Sequence, residues 1–197
     1  CSNKMLSTQL VKMNRTLIIA FVVILICNFQ PSFAQLYYTK NGRISFFSSA
    51  SLQDIEADNN QVLSVLNAQS GALQFNVLND AFYFPKAKMQ EDFNENYIES
   101  NKYPKSAFNG KIMDLNSINI SKDGTYVVSV NGDLTIHGVT KNITAPGTII
   151  IKDGKISATS SFNILLKDYH IAIPTIVNNK IAEKIKITVN CNYQKKS

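Results

Sequence analysis

The side chains of this 197-residue chain that could do chemistry are two histidines, a lone cysteine near the C-terminus and a few carboxylates. His137 ends the run Leu134-Thr135-Ile136-His137-Gly138, and imidazole titrates near neutrality, so it suits a ligand contact or acid/base work. At a strand end beside glycine its plainer role is a structural hydrogen bond, which is the reading preferred. His170, in Lys167-Asp168-Tyr169-His170, has a carboxylate two residues away. His137, His170 and Asp168 are ligand types that zinc takes, but no spacing demands a metal, and none is assigned. Asp133 and His137 are the pair an enzyme acting on a lipid or quinone-like substrate would use, although spacing alone supplies no acid/base geometry. Cys191 alternates with Val189 and Tyr193, which reads as a small buried hydrophobe rather than a nucleophile. Glu91, Asp92 and Glu95 read as a solvated helix face. Gly-x-Ser-x-Gly, Cys-x-x-Cys, His-Glu-x-x-His, P-loop and dinucleotide glycine patterns are all missing from the sequence. The inventory points away from catalysis, and no cofactor is expected.

The elements that hold these residues are mostly strands. Gly124 to Ile136 sets Tyr126, Val128, Val130, Leu134 and Ile136 on one face and Thr125, Ser129, Asn131, Asp133 and Thr135 on the other. Ile185 to Tyr193 places Ile185, Ile187, Val189, Cys191 and Tyr193 opposite Lys186, Thr188, Asn190 and Asn192, and Ile44 to Ala50 alternates in the same way. Period-two alternation of this kind gives antiparallel strands with one dry and one wet face. Asp153-Gly154 predicts a hairpin between Thr148–Ile151 and Ile156–Phe162, and Asn41-Gly42 predicts another between Leu36–Thr39 and Ile44 onward. Lys122-Asp123-Gly124 introduces the long strand. About eight strands result, a number that closes into a barrel wide enough for one ligand. From Ala87 to Ile98, Met89, Phe93 and Tyr97 recur four apart, which predicts one amphipathic helix ending before Tyr103-Pro104 and packed on one end of the barrel.

Residues 1–34 read as a secretory signal peptide. Lys12 and Arg15 precede an uncharged run, Leu17 to Cys27, and Ser32-Phe33-Ala34 forms a small-x-small cleavage site, so cleavage is expected after Ala34. The run falls short of the roughly 20 apolar residues needed to span a bilayer. Cys1 stands where an open reading frame has methionine, which makes Met13 a candidate natural start. Ile26 before Cys27 is too large for a lipoprotein site, so lipid anchoring is not expected. Export to the periplasm or beyond follows. Losing Lys4, Lys12 and Arg15 leaves 17 of the 20 basic residues against 14 acidic ones, so the formal charge drops from +6 to +3. With that, and with no lysines interleaved on the apolar faces, no nucleic-acid partner is expected. The remaining 163 residues suit one domain, and Cys191, left alone, has no partner for an intrachain disulfide.

Gly132-Asp133-Leu134-Thr135-Ile136-His137-Gly138-Val139-Thr140-Lys141 resembles the G-D-L-T-x-H-G-V-T-[KR] signature of the YceI-like family of exported lipid-binding proteins. Phe93 to Ile98 followed by Asn101 to Phe108 is similar to that family's helix and KYP strand start. Phe162 to Ile171 is similar to its F-x-I-x-x-x-D-[FY]-G-I stretch, and Ile181 to Val189 resembles its closing strand. The likeness covers residues 35–197 nearly end to end. It implies an elongated, lipocalin-like antiparallel β-barrel with a tunnel for a polyisoprenoid or other long-chain amphiphile. His170 departs from the pattern, standing where the family often has glycine. The stretch from Leu52 to Leu78 is shorter than in many members and lacks their basic segment, so a tunnel mouth unlike theirs is expected.

Together these observations predict a non-enzymatic carrier or scavenger. A polyisoprenoid, isoprenoid quinone or fatty-acid-like chain would lie against Phe46, Tyr126, Val128, Val130, Leu134, Ile136, Phe162, Ile187 and Val189. A transient membrane contact and a homodimer are compatible with this function. The alternatives are a filled barrel serving as a cell-envelope interaction module and, less favoured, the enzyme built on His137 and Asp133.

Overall fold

The computed structural model describes residues 35–177 and 179–196, so the expected leader, with Met13, Cys27 and the cleavage site after Ala34, lies outside the described residues. Eight strands follow: β1 (Leu36–Ser49), β2 (Asp54–Asn67), β3 (Ala72–Leu78), β4 (Lys105–Ile112), β5 (Gly124–Ile136), β6 (Val139–Lys152), β7 (Lys155–Leu165) and β8 (Lys184–Lys195). Each pairs antiparallel with its chain neighbour, and β8 returns to β1, closing the barrel. Closure leaves no strand unpaired along the whole of either side. The expected architecture, mainly β with eight strands and a short helix at one end, is the one observed.

Alternation sets the register. In β5, Val128 and Leu134 are buried while Thr125, Val127, Ser129 and Asp133 are exposed, and a slip of one residue would exchange the two sets. Asp153 and Gly154 adopt φ of 51° and 71°, the left-handed pair that a two-residue hairpin turn requires, and they join β6 to β7 as expected. His137 and Gly138, at 51° and 74°, make the equivalent turn between β5 and β6.

Asn41-Gly42 is not a hairpin. β1 runs straight through it, and both halves pair with β2, Thr39 with Ser64 and Gly42 with Val62, with register shifts on either side. The inward set in β1 changes from Tyr37 and Thr39 to Gly42, Ile44, Phe46 and Ser48, so the segment is a bulge that bends the wall. A β-carbon at Gly42 would come within 2.8 Å of Cys191 Sγ on the adjacent strand β8, so glycine serves close approach here rather than a turn.

At the end where β1, β3, β5 and β7 finish lies α1 (Ala87–Asp92), which continues as a π-helical turn over Phe93–Tyr97. This is the stretch expected to be helical, with its last five residues wound more loosely than an α-helix. Next to it, β2 and β3 separate above the Leu63–Asn76 pair, and the segment Phe82–Phe84 fills the gap. Tyr83 bridges to Asp58 through two backbone hydrogen bonds of 2.8 and 3.1 Å, which turns Phe82 and Phe84 inward.

The opposite end is packed solid. Tyr37, Leu66, Ile112, Ile151, Ile156 and Tyr193 form one buried cluster, covered by Leu115, Ile118 and Ile120 from the connection between β4 and β5. Tyr126 belongs to this plug, its hydroxyl 3.1 Å from the carbonyls of Asn119 and Lys122.

Candidate functional site

Above the plug the barrel is hollow. A cavity of about 460 Å³ runs from the plug to the helical end. Strand alternation sends apolar residues into it from all eight walls, and α1 with its π turn adds Met89, Phe93 and Tyr97. Phe46, Phe82, Phe84 and Phe93 form a cluster of rings on one side, with centroids 5.1–5.6 Å apart. Phe75 meets Phe108 edge-on at 6.3 Å. Such contacts fix ring positions and leave a rigid apolar wall.

Of the nine residues expected to touch ligand, Phe46, Val128, Val130, Leu134, Ile136, Phe162, Ile187 and Val189 line the cavity. Tyr126 does not. It faces inward as its alternation requires, but at a level already filled by the plug. Sequence reasoning missed Phe75, Phe82, Phe84 and Ile143, which also line the space. Alternation in Leu73-Gln74-Phe75-Asn76-Val77 and in Phe82-Tyr83-Phe84 was the available signal.

Polar atoms in the cavity wall are mostly spoken for. Asn79, 1% exposed, donates from Nδ2 to the Tyr103 carbonyl at 2.7 Å and accepts from Ser106 Oγ at 2.8 Å. Ser48 Oγ accepts from the Ala182 amide at 2.9 Å, tying β1 to the connection between β7 and β8. That connection and the β1–β2 loop form the rim, joined by the Leu52 amide donating to the Asn179 carbonyl at 3.0 Å. Gln53, Val177, Lys180 and Ile181 face the cavity from these two segments. Asp92 and Lys180 are the charged lining residues, and Asp92 is matched by Lys88 at 3.1 Å.

The residues singled out for chemistry lie elsewhere. His137 and Asp133 do not line the cavity. Asp133 is on the outer face, where Oδ1 accepts from Asn142 Nδ2 at 2.8 Å. His137 is enclosed at the β5–β6 turn. Its Nδ1 is 3.1 Å from the Tyr169 carbonyl, its Nε2 is 2.7 Å from Glu99 Oε2, and the Tyr103 ring packs against it at 4.5 Å. The histidine thus fastens together the turn, the end of the helical segment and the 3₁₀ turn Leu166–Tyr169. His170 has φ of 55°, a left-handed conformation that glycine adopts without cost, which gives a physical reason for glycine at this place in the resembling family. Among the described residues no group of three or more His, Cys, Asp or Glu side chains converges, so His137, His170 and Asp168 are not brought together. Cys191 is fully buried, and burial pushes its thiol up to about 12.

Asp133 and Gly132 of the signature are structural in placement. Gly132 pairs with Gly110, and a β-carbon on it would strike the Gly110 backbone and approach Phe108 Cζ to 2.8 Å. The Phe108 ring lies across this pair of glycines, inside the barrel. Leu134 is the signature residue that reaches buried space in the cavity wall, whereas Thr135 and Thr140 bond to each other at 2.8 Å beside the turn and Val139 packs in the cluster around Tyr169.

The sequence matches the YceI-like domain over residues 33–193. No curated protein matches it. Among solved structures, a polyisoprenoid-binding domain from Saccharophagus degradans superposes with a TM-score of 0.73 at 14% identity, covering 83% of this chain and 100% of that one. BcnA of Burkholderia cenocepacia gives 0.60 at 14% identity, with 78% and 96% covered. The YceI protein of Campylobacter jejuni gives 0.55 at 18%, with 72% and 84% covered. At these identities the likeness is one of fold.

Proposed function

The chain belongs to the YceI-like family, and from that premise we propose that it is an exported, non-catalytic carrier that holds one long-chain apolar or amphiphilic molecule inside its barrel. The observation that carries this is the cavity of about 460 Å³ walled by aliphatic and aromatic side chains above a closed floor. Burying an alkyl or isoprenoid chain there contributes about 25 cal/mol for each Å² of apolar surface, so a long chain binds without a charged anchor. Lys180 at the rim is the cation available to a head group that is acidic. The hollow interior counts against a filled barrel serving only as an interaction module.

Export rests on the leader expected over residues 1–34, and it would place the carrier in water beside membranes. Leu52 and Ile176, 66% and 85% exposed, stand next to cavity-lining residues of the rim and suit brief contact with a bilayer while cargo moves. Native mass spectrometry of the purified protein, before and after incubation with farnesol or oleic acid, tests the reading. A single added ligand per chain is expected, and a spectrum unchanged by either probe would remove the carrier function.

A further inference from the structure

Seven of the eight barrel seams are backbone ladders, or are stitched where they part. The β6–β7 seam is different. Its last pair is Gly147 with Ser160, yet β6 continues to Val139 and β7 to Leu165. Each strand remains fully paired on its other side, β6 with β5 up to Val139 and β7 with β8 up to Leu165. The separation is therefore not fraying at a strand end.

Its cause is local. Pro146 has no N–H to offer β7, and proline in a sheet is confined to edges and bulges for that reason. In place of a ladder bond, Ser160 Oγ donates to the Pro146 carbonyl at 2.6 Å. The comparable separation of β2 from β3 is closed by the Tyr83 bridge and by Asn59 Nδ2 donating to the Leu78 carbonyl at 2.8 Å. Among the described residues no strand pair closes β6 to β7 above Gly147.

The cavity reaches this seam. Its lining includes not only the inward Gly147 and Ser160 but also Thr148 and Thr159, which alternate to the outer face and of which Thr159 is exposed. Inward positions beside the opening are small, Ala145, Gly147, Ala158 and Ser160. Higher up, Ile164 and Tyr169 fill the seam with side chains, so the free passage is limited to the level just above the last pair.

We infer that the seam between β6 and β7 is a lateral port, through which the tail of a ligand longer than the cavity passes to the outside. The inference rests on the carrier reading and adds a selectivity to it: with the floor plugged, the cavity sets no upper limit on chain length because the surplus leaves through the wall. An isoprenoid alcohol of many units is the chemical class it accommodates best, its flexible apolar chain needing no polar partner among the small residues of the port.

The test places a bulky maleimide adduct on Thr159→Cys, and separately on Ser161→Cys, with Leu63→Cys on the far outer wall as control, all with Cys1 and Cys27 replaced by serine; native Cys191 is too buried to react. Transfer of farnesol and of solanesol from loaded protein to phosphatidylcholine vesicles is followed by mass spectrometry of the vesicles. Either port adduct is expected to slow solanesol transfer about tenfold or block its uptake, and the Ser161→Cys adduct, which lies outside the cavity lining, is expected to leave farnesol transfer unchanged, since differences among related complexes lie mainly in release rates. Solanesol transfer equal in all adducts while farnesol still binds would overturn the port alone. Failure of the unmodified protein to bind either alcohol would overturn the carrier reading and the port with it.

Discussion

His137 Nε2 sits 2.7 Å from Glu99 Oε2, and through that contact the β5–β6 turn holds the far end of the helical segment in place over the cavity. Both residues have positive φ, at 51° and 48°, so each side chain is delivered by a backbone conformation that is costly outside glycine. The ring's other nitrogen faces the Tyr169 carbonyl at 3.1 Å, which extends the tie to the connection after β7.

Replacing His137 by Ala is therefore expected to destabilise the fold rather than abolish a reaction. The loss should be about 1–2 kcal/mol, moderated because Glu99 is 39% exposed. Thermal unfolding measures it, and faster hydrogen exchange at Glu99–Tyr103 and at Leu166–Tyr169 locates it. Ligand uptake that survives the substitution agrees with a fastening role, whereas unaltered stability with lost uptake would place the imidazole in binding.

Gly132→Ala should be costlier than an alanine elsewhere on β5. Its methyl group would run into the Gly110 Cα, the Asn109 carbonyl and the Phe108 ring, which are held by strand pairing and the cavity wall. Overpacking of this kind costs about 1–3 kcal/mol, and Phe108→Leu in the same chain should recover part of it by removing the ring. Denaturant midpoints of the two variants and their combination measure the coupling.

Cys191 gives a pH dependence. Burial raises its thiol from an ordinary 9.0 to about 12, so the folded state favours the protonated form. The stabilisation is fully present below pH 9.0, the unfolded value, and is lost as the pH rises toward about 12. Cys191→Ala should remove that part of the alkaline decline in stability. In the native protein iodoacetamide should leave the thiol unmodified near neutral pH and react once denaturant is added, because the thiolate is the nucleophile.

Lys180 is expected to tune which head group is preferred. Lys180→Met should weaken oleate binding by about tenfold, a charge contact at a partly solvated rim, while leaving farnesol binding unchanged. Competition between the two ligands in one titration reads out the difference. Equal weakening of both would assign Lys180 to packing of the rim.

Barrel and lining were legible wherever side chains alternate over a long run. β5 and β8 show their inward faces directly, and eight of the nine residues expected to contact ligand do line the cavity because register follows from alternation. Two kinds of feature were not legible. Asn41-Gly42 carries a hairpin signal, yet it lies opposite Val62 and close to Cys191, and only the tertiary position of β8 makes it a bulge. Tyr126 has the correct face but the wrong height, since where the plug ends depends on Leu115, Ile118 and Ile120 folding back from a connection without periodic pattern. The β6–β7 seam hides for a related reason: Pro146 signals a break, but whether β7 then follows or parts from β6 is decided by β8 and by the side chains around Tyr169.

The sequence contains no tryptophan, so a single introduced indole reports its own surroundings without interference. Phe162→Trp places it in the cavity wall and Val127→Trp places it on the outer face, where Val127 is 81% exposed. Titration with dibromostearic acid, whose bromines quench indole on contact, compares the two directly. An apolar chain held inside the barrel predicts quenching of the Phe162→Trp protein that saturates at one ligand per chain, with little quenching of the Val127→Trp protein. Equal quenching of both, or none in the cavity variant, would contradict a ligand inside the barrel.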